Sequence, residues 1–305
     1  YRAEINVSEE ILTRTSETYR RLRNTARFLL ANLDGFTPED NLVLPENMLS
    51  LDRWVTQRAQ HLQTEIIRAY EAYQFHVIYQ KVHHFCAVEL GSFYLDIIKD
   101  RQYTTQTDSL ARRSAQTAMY HIIEAMVRWF APILSFTAEE IWQYIPGKRN
   151  ESVFLNTWYN DLPILPHDAK MNEAYWEKLR LVRDAVNREL EAQRKAGKIG
   201  APLEAEVHLY CDAALKNQLD ELRDELRFVL ITSGADVHLA NSHLPEDVFA
   251  TEVAGLSVKV KAVTHQKCER CWHRREDVGQ NPAHPTLCLR CVVNVDGNGE
   301  IRKFA

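Results

Sequence analysis

Apolar residues recur at helical spacing through the first half of the chain. Ser8 suits a helix N-cap, and Glu9 and Glu10 follow where the macrodipole favours acids. Leu12, Tyr19, Leu22, Ala26, Leu29 and Leu33 then fall three, four or seven positions apart and build one face. Gly35 and Pro38 end this helix. The same spacing predicts a second helix from Ser50 or Asp52, carrying Trp54, Val55, Arg58, Leu62, Ile66 and Tyr70. A third carries Phe75, Tyr79, Val82, Phe85, Phe93 and Ile97, and a fourth runs from about Asp108 to Phe130, stopped by Pro132. Thr137-Ala138-Glu139-Glu140 opens a shorter fifth. Long amphipathic helices with short joints make a bundle.

The pattern changes after Pro146. Gly147, Asn150, Pro163 and Pro166 mark a junction, within which Ser152-Val153-Phe154-Leu155 reads as a strand. A helix is expected from about Asn172 to Ala196, ended by Gly197 and Gly200. Glu204 to Tyr210 alternates like a strand, Ala213 to Leu226 is helical, and Phe228 to Thr232 is a short apolar run. Ser257 to Val263 alternates around Lys259 and Lys261, as a half-exposed strand does. These elements make a small α+β module.

Composition adds bounds. The 305 residues are 45% hydrophobic and 26% charged, enough for real cores in two or three domains. Lys and Arg number 37 against 42 Asp and Glu, a net −5, so nucleic-acid binding must come from local basic patches. No apolar run approaches the ~18 residues of a membrane-spanning helix. The opening Tyr1-Arg2-Ala3-Glu4 has no initiator Met and no signal pattern, and is expected to be a cut within a longer chain.

Cysteine placement carries the strongest chemical signal. Cys86 and Cys211 stand alone, whereas Cys268-x-x-Cys271 and Cys288-x-x-Cys291 are two knuckles separated by sixteen residues. Two such knuckles offer four thiolates at tetrahedral corners, the donor set of a structural zinc, with no position left for an activated water. Disulfides or ordinary buried thiols are the bland alternative, disfavoured by the paired spacing. His265, His273 and His284 are expected at the surface or just outside the ligand shell. Around the knuckles, eight basic residues face five acids. Arg270, Trp272 and Arg274 supply the guanidiniums and indole that an RNA-contacting ribbon would use, although Trp272 covering the zinc is an equal reading.

On the first helix Arg20, Arg23 and Arg27 fall on one stripe about a quarter-turn from the apolar face. A solvated face is the commoner meaning of such a stripe; a phosphate track is the functional one. Tyr19-Arg20-Arg21-Leu22-Arg23-Asn24-Thr25-Ala26-Arg27-Phe28-Leu29-Leu30 resembles the opening helix of the anticodon-binding domain of class I isoleucyl-tRNA synthetases. Gly91-Ser92-Phe93-Tyr94-Leu95-Asp96-Ile97-Ile98-Lys99-Asp100-Arg101, then Ala131-Pro132-Ile133-Leu134-Ser135-Phe136-Thr137-Ala138-Glu139-Glu140, and finally the four-cysteine ribbon follow in the same order. The ribbon narrows the resemblance to the bacterial family.

The resemblance implies a mainly α fold: a helical anticodon-binding bundle (1–146), a junction and small α+β module (147–263), and a four-cysteine zinc ribbon (264–305). It implies one structural zinc on Cys268, Cys271, Cys288 and Cys291. Isoleucine tRNA is the implied partner, met by Arg20, Arg23, Arg27, Arg270, Trp272 and Arg274. A cytoplasmic monomer with no membrane contact is expected. In that family ATP and Mg2+ serve a catalytic domain with His-x-Gly-His and Lys-Met-Ser-Lys-Ser motifs, beside a separate editing domain. None of these motifs is present, so the chain is expected to be inactive alone.

No Ser/His/Asp arrangement or phosphate-cradling glycine loop appears. Of His83 and His84, one is expected in the core and one at the surface. Tyr94, Tyr103, Trp129, Trp142 and Trp158 are expected to pack rather than stack on a ligand. The alternative function is the DNA-binding region of a formamidopyrimidine-type glycosylase, which ends in a similar ribbon; this chain lacks the Pro-Glu start of those enzymes.

Overall fold

A computed structural model describes residues 6–163, 170–240 and 244–305. The opening Tyr1-Arg2-Ala3-Glu4 and Pro166 of the junction lie outside the described residues. In chain order the helices are α1 (Glu9–Asn32), α2 (Pro38–Asn41), α3 (Ser50–Glu71), α4 (Phe75–His84), α5 (Leu95–Thr104), α6 (Leu110–Phe130), α7 (Ser135–Trp142) and α8 (Glu173–Lys195). Then come β1 (Ala205–Cys211), α9 (Ala213–Asp220), α10 (Leu226–Leu230), β2 (Gly234–Leu239), β3 (Phe249–Ala250), β4 (Leu256–Ala262) and α11 (Leu289–Asp296). Contacts group the chain into two units. One holds Tyr1–Asn47, Val55–Asp96 and Arg113–Leu165; the other holds Met48–Trp54, Ile97–Arg112 and Pro166–Ala305.

The first unit is a helical bundle. The Ser8 side chain accepts from Ile11 N at 3.3 Å and starts α1, which buries Leu22, Thr25, Ala26 and Leu29. Alanines at 115, 118 and 125 let α6 approach its neighbours closely, and Met119, Ile122 and Met126 are fully buried beside them. The expected third helix runs from α4 to α5 through a π-wound stretch, Phe85–Tyr94. This stretch is apolar on most sides, so no single face directs regular α winding. A Cβ at Gly91 would lie 2.8 Å from the Cys86 carbonyl oxygen, so only glycine fits there. Inside the stretch buried Glu89 accepts two bonds from Arg58, at 2.9 and 3.1 Å.

Several expectations need correction. Ser152–Leu155 is no strand: the Ser152 hydroxyl caps a 3-10 turn over Val153–Leu155, accepting from Phe154 N at 3.2 Å. Thr137 lies inside α7, which starts at Ser135, and its hydroxyl meets that of Tyr19 at 3.1 Å. His83 is half-buried against Tyr79 and His84 is exposed, so neither joins the core. Tyr103 is 60% exposed, whereas Tyr94, Trp129 and Trp142 are buried. Trp158 is partly buried, with its ring 5.6 Å from that of Tyr70.

The second unit is built on a sheet ordered β2-β1-β4-β3, with β1 parallel to β2 and antiparallel to β4. The β1–β2 crossover carries α9 and α10, into which the expected 213–226 helix divides. The Phe228–Thr232 run ends α10, with Ile231 left-handed at φ 57°. β2 and α11 were not expected from the sequence. Helices α8, α9 and α10 pack against strands of the sheet, and Val207, Leu209, Leu256 and Val258 are buried. Alternate residues Glu206, His208 and Tyr210 remain half-exposed on the other face.

Candidate metal centre and nucleic-acid interface

The four cysteines of the two knuckles are buried and free, with sulfurs all within 4.8 Å of one another. Tetrahedral Zn–S bonds of ~2.3 Å put sulfurs about 3.8 Å apart. Cys271 Sγ and Cys288 Sγ stand 3.7 Å apart, as zinc requires and far beyond a disulfide bond. The donor set therefore fits one structural zinc. Hydrogen bonds from the neighbouring thiols, foremost Cys268 and then Cys288 and Cys291, hold Cys271 well below the ordinary thiol value. Cys268 N donates to His273 O and Trp272 N to Cys268 O, both at 2.9 Å, closing the first knuckle. Among the described residues Val278 and Leu287 alone pack as partly buried apolar side chains against the sulfurs, so an ion held there would replace a hydrophobic core.

Charged side chains anchor the ribbon within its own unit. Arg290, on α11, grips Asp100 of α5 with two bonds of 2.8 Å and reaches Glu300 at 3.0 Å. Arg302 bonds Asp100 at 2.5 Å and Glu300 at 3.0 Å, with its guanidinium 3.2 Å from the Phe228 ring centroid. Burial pushes the Asp100 carboxyl up, but Arg290 and then Arg302 outweigh it and hold the group at about 2. Buried His273 lies edge-on to Phe228, not at the surface.

Sequence reasoning placed six side chains at an RNA interface, and they differ in freedom. Arg20, Arg23 and Arg27 are exposed together along α1. Arg23 lies 3.8 Å from Glu140, a surface pair worth at most about 1 kcal/mol. Arg23 and Arg27 border a cavity of about 440 Å³ with Leu30, Thr137, Ile141 and Tyr144, and Tyr144 is 70% exposed. In the ribbon, Trp272 is 60% exposed at a left-handed φ of 66°, with Lys267 Nζ 4.8 Å from its ring centroid. Most of the indole is therefore open to solvent. Arg270 is exposed and donates to Thr104 O at 3.2 Å. Arg274 is engaged: its guanidinium meets Glu204 at 2.8 Å and His265 O at 3.2 Å.

Sequence reasoning missed a larger cavity in the first unit, of about 780 Å³. Its floor is Glu124, paired with Arg128 at 2.5 Å and Arg149 at 3.0 Å, and both guanidiniums lie over Trp142. His121 Nδ1 stands 2.7 Å from the Tyr159 hydroxyl there, and burial pushes this histidine down to about 4. The loop residues that complete the cavity follow no periodicity, and a pattern search does not find them.

Two family models match the chain. A family model described as the anticodon-binding domain of tRNA ligase matches residues 52–209. One described as a zinc finger found in FPG and IleRS matches residues 266–293. The chain is 60% identical over 304 residues to the isoleucine–tRNA ligase of Methylococcus capsulatus, covering all of this chain and 32% of that protein. It is 58% identical over 305 residues to that of Azotobacter vinelandii, with 100% and 32% covered. Identity with that of Thioalkalivibrio sulfidiphilus is 61% over 308 residues, with 100% and 33% covered. The chain spans about a third of the length of the curated relatives it matches. The glycosylase alternative shares only the zinc-finger match and is not favoured. Among the described residues no helix is long and apolar enough to cross a membrane.

Proposed function

The chain belongs to the family of tRNA-ligase anticodon-binding domains, and from that premise we propose that it binds the anticodon arm of isoleucine tRNA as part of an isoleucine–tRNA ligase. The observation that carries the reading is the exposed Arg20, Arg23 and Arg27 stripe beside an open cavity, on a helix that precedes the matched residues 52–209. Guanidiniums on that stripe meet phosphates and set register, while splayed bases of the loop supply sequence information through their edges and faces. Arg270 and Trp272 add a second contact from the ribbon. Arg274 joins them only by exchanging Glu204 for a phosphate.

Cys268, Cys271, Cys288 and Cys291 would hold one zinc, which orders the ribbon and takes no part in bond-making. Residues 1–146 act as the RNA-reading bundle, 147–263 as the connecting module and 264–305 as the ribbon. In the whole ligase, activation of isoleucine with ATP and its transfer to tRNA belong to parts outside this match. The protein works as a cytoplasmic monomer.

Filter binding tests this directly. Isoleucine tRNA transcript should bind at least tenfold tighter than an anticodon-swapped transcript, since each well-read base contributes about 1–3 kcal/mol. Equal affinities would discard sequence-specific reading. Replacing Arg20, Arg23 and Arg27 by Ala should lower the slope of log Kd against log salt by about 2, at ~0.7 per phosphate contact. An unchanged slope with unchanged helicity would leave the stripe as a solvated face.

A further inference from the structure

One face of the small sheet carries a row of stacked rings that takes no part in the zinc site, with Tyr210 and His238 beyond the matched residues 52–209. Tyr210 on β1 lies opposite His238 on β2, and their rings stack at 4.9 Å and 25°. His208, two residues back on β1, stacks on the same His238 at 5.4 Å and 27°. The two imidazoles also approach at 3.2 Å, Nδ1 to Nε2, which holds the row in place. Along β1 these half-exposed rings alternate with the fully buried Val207, Leu209 and Cys211, so this aromatic column is not core packing.

A cavity of about 470 Å³ opens beside the column. Tyr210 and His238 form one part of its wall, Leu244 and Pro245 an apolar part, and Lys216 a charged rim. The volume lies within the range of sites for small planar ligands. Charge on this face is mostly matched: Lys261 faces Glu206 at 3.8 Å, Lys216 holds Asp220 at 2.7 Å, and Asp236 lies 3.5 Å from His208. Among the described residues Lys259 is the exception. It pairs across from His208, and its ammonium rests on the Glu246 carbonyl oxygen at 3.1 Å, a neutral acceptor that leaves its charge uncompensated.

A π-face beside an apolar slot, with an unmatched ammonium on the same face, suits a base and its phosphate. A one-sided sheet presenting stacked aromatics is a general way to take unpaired RNA bases. We propose that this sheet face is a second RNA contact, where an unstacked base of the bound tRNA stacks on Tyr210 and its phosphate lies against Lys259. The proposal rests on the reading that the chain binds tRNA.

The test uses the full zinc-loaded chain and isoleucine tRNA transcript. Tyr210→Ala should weaken binding about tenfold, the effect of removing one base–aromatic stack, while Tyr210→Phe stays within twofold. Tyr210→Leu, which keeps apolar bulk for folding, should weaken binding like Tyr210→Ala. The salt slope should stay unchanged in both and fall by ~0.7 in Lys259→Ala. If the parent chain binds the transcript and a folded Tyr210→Leu chain binds equally well, the stacking site is overturned and the tRNA reading stands. If the parent chain ignores the transcript even at low salt, the tRNA reading itself fails and takes the stacking site with it.

Discussion

Replacing Asp100 by Asn probes how the ribbon is held. The substitution keeps shape and one acceptor but removes the charge that Arg290 and Arg302 share. Both arginines are largely buried, with side chains 12% and 2% exposed, and Glu300 would be their remaining carboxylate in this network. Two routes give the magnitude. Lowering the carboxyl from 3.8 to about 2 corresponds to roughly 2 kcal/mol of preference for the charged form. Removing one partner from a buried pair costs roughly 3–5 kcal/mol in general, because a charge stays behind unpaired. A loss of about 2–4 kcal/mol is therefore expected. Urea unfolding of the zinc-loaded chain, followed by hydrogen exchange at residues 288–304, would measure it. Because the folded value is depressed, Asp100's contribution is complete above the unfolded value near 3.8 and is lost as pH falls towards about 2. The deficit of the variant should thus be flat between pH 5 and 8. A loss below about 0.5 kcal/mol would refute the account of a carboxylate clamped by two arginines.

Two further outcomes follow from the sites described. The chain should bind about one zinc; Cys288→Ser should abolish binding and expose the 268–296 amides to exchange, since metal affinity on the order of 10–16 kcal/mol orders such modules. Elemental analysis and exchange would check this, and an ordered ribbon without metal would contradict it. His121, pushed down to about 4 by burial, should make the bundle most stable above pH 6.5. Up to about 3 kcal/mol should be lost as pH falls from 6.5 to 4, because the unfolded chain binds the proton first. His121→Gln should flatten that part of the stability–pH curve, and a curve unchanged by the substitution would assign the loss elsewhere.

Local order along the chain was legible where one element decides it. Helix α1 follows from its spacing and Ser8, α8 from Asn172 and the glycines after it, and β1 and β4 from alternation. The zinc site was legible for the same reason: two-residue knuckles bring thiolates together by backbone geometry alone. β2 carried a readable signal in the alternation Ala235, Val237, Leu239, but a short strand competes weakly with its turn-rich surroundings. The π-wound stretch was hidden because periodicity says little where most sides are apolar.

Sequence by itself thus determined the helices, the principal strands, the thiolate set and which arginines share a stripe, all matters of neighbours within a few turns. Tertiary structure alone decided which of those cations are free. Arg274 is spent on Glu204, seventy positions away, and Arg290 on Asp100, 190 away, while Arg20 and Arg27 stay exposed. It also placed Tyr210 beside His238 by the β1–β2 register. The reason is physical: a charge or ring acts only on what lies within a few ångströms, and over such chain separations topology sets that distance.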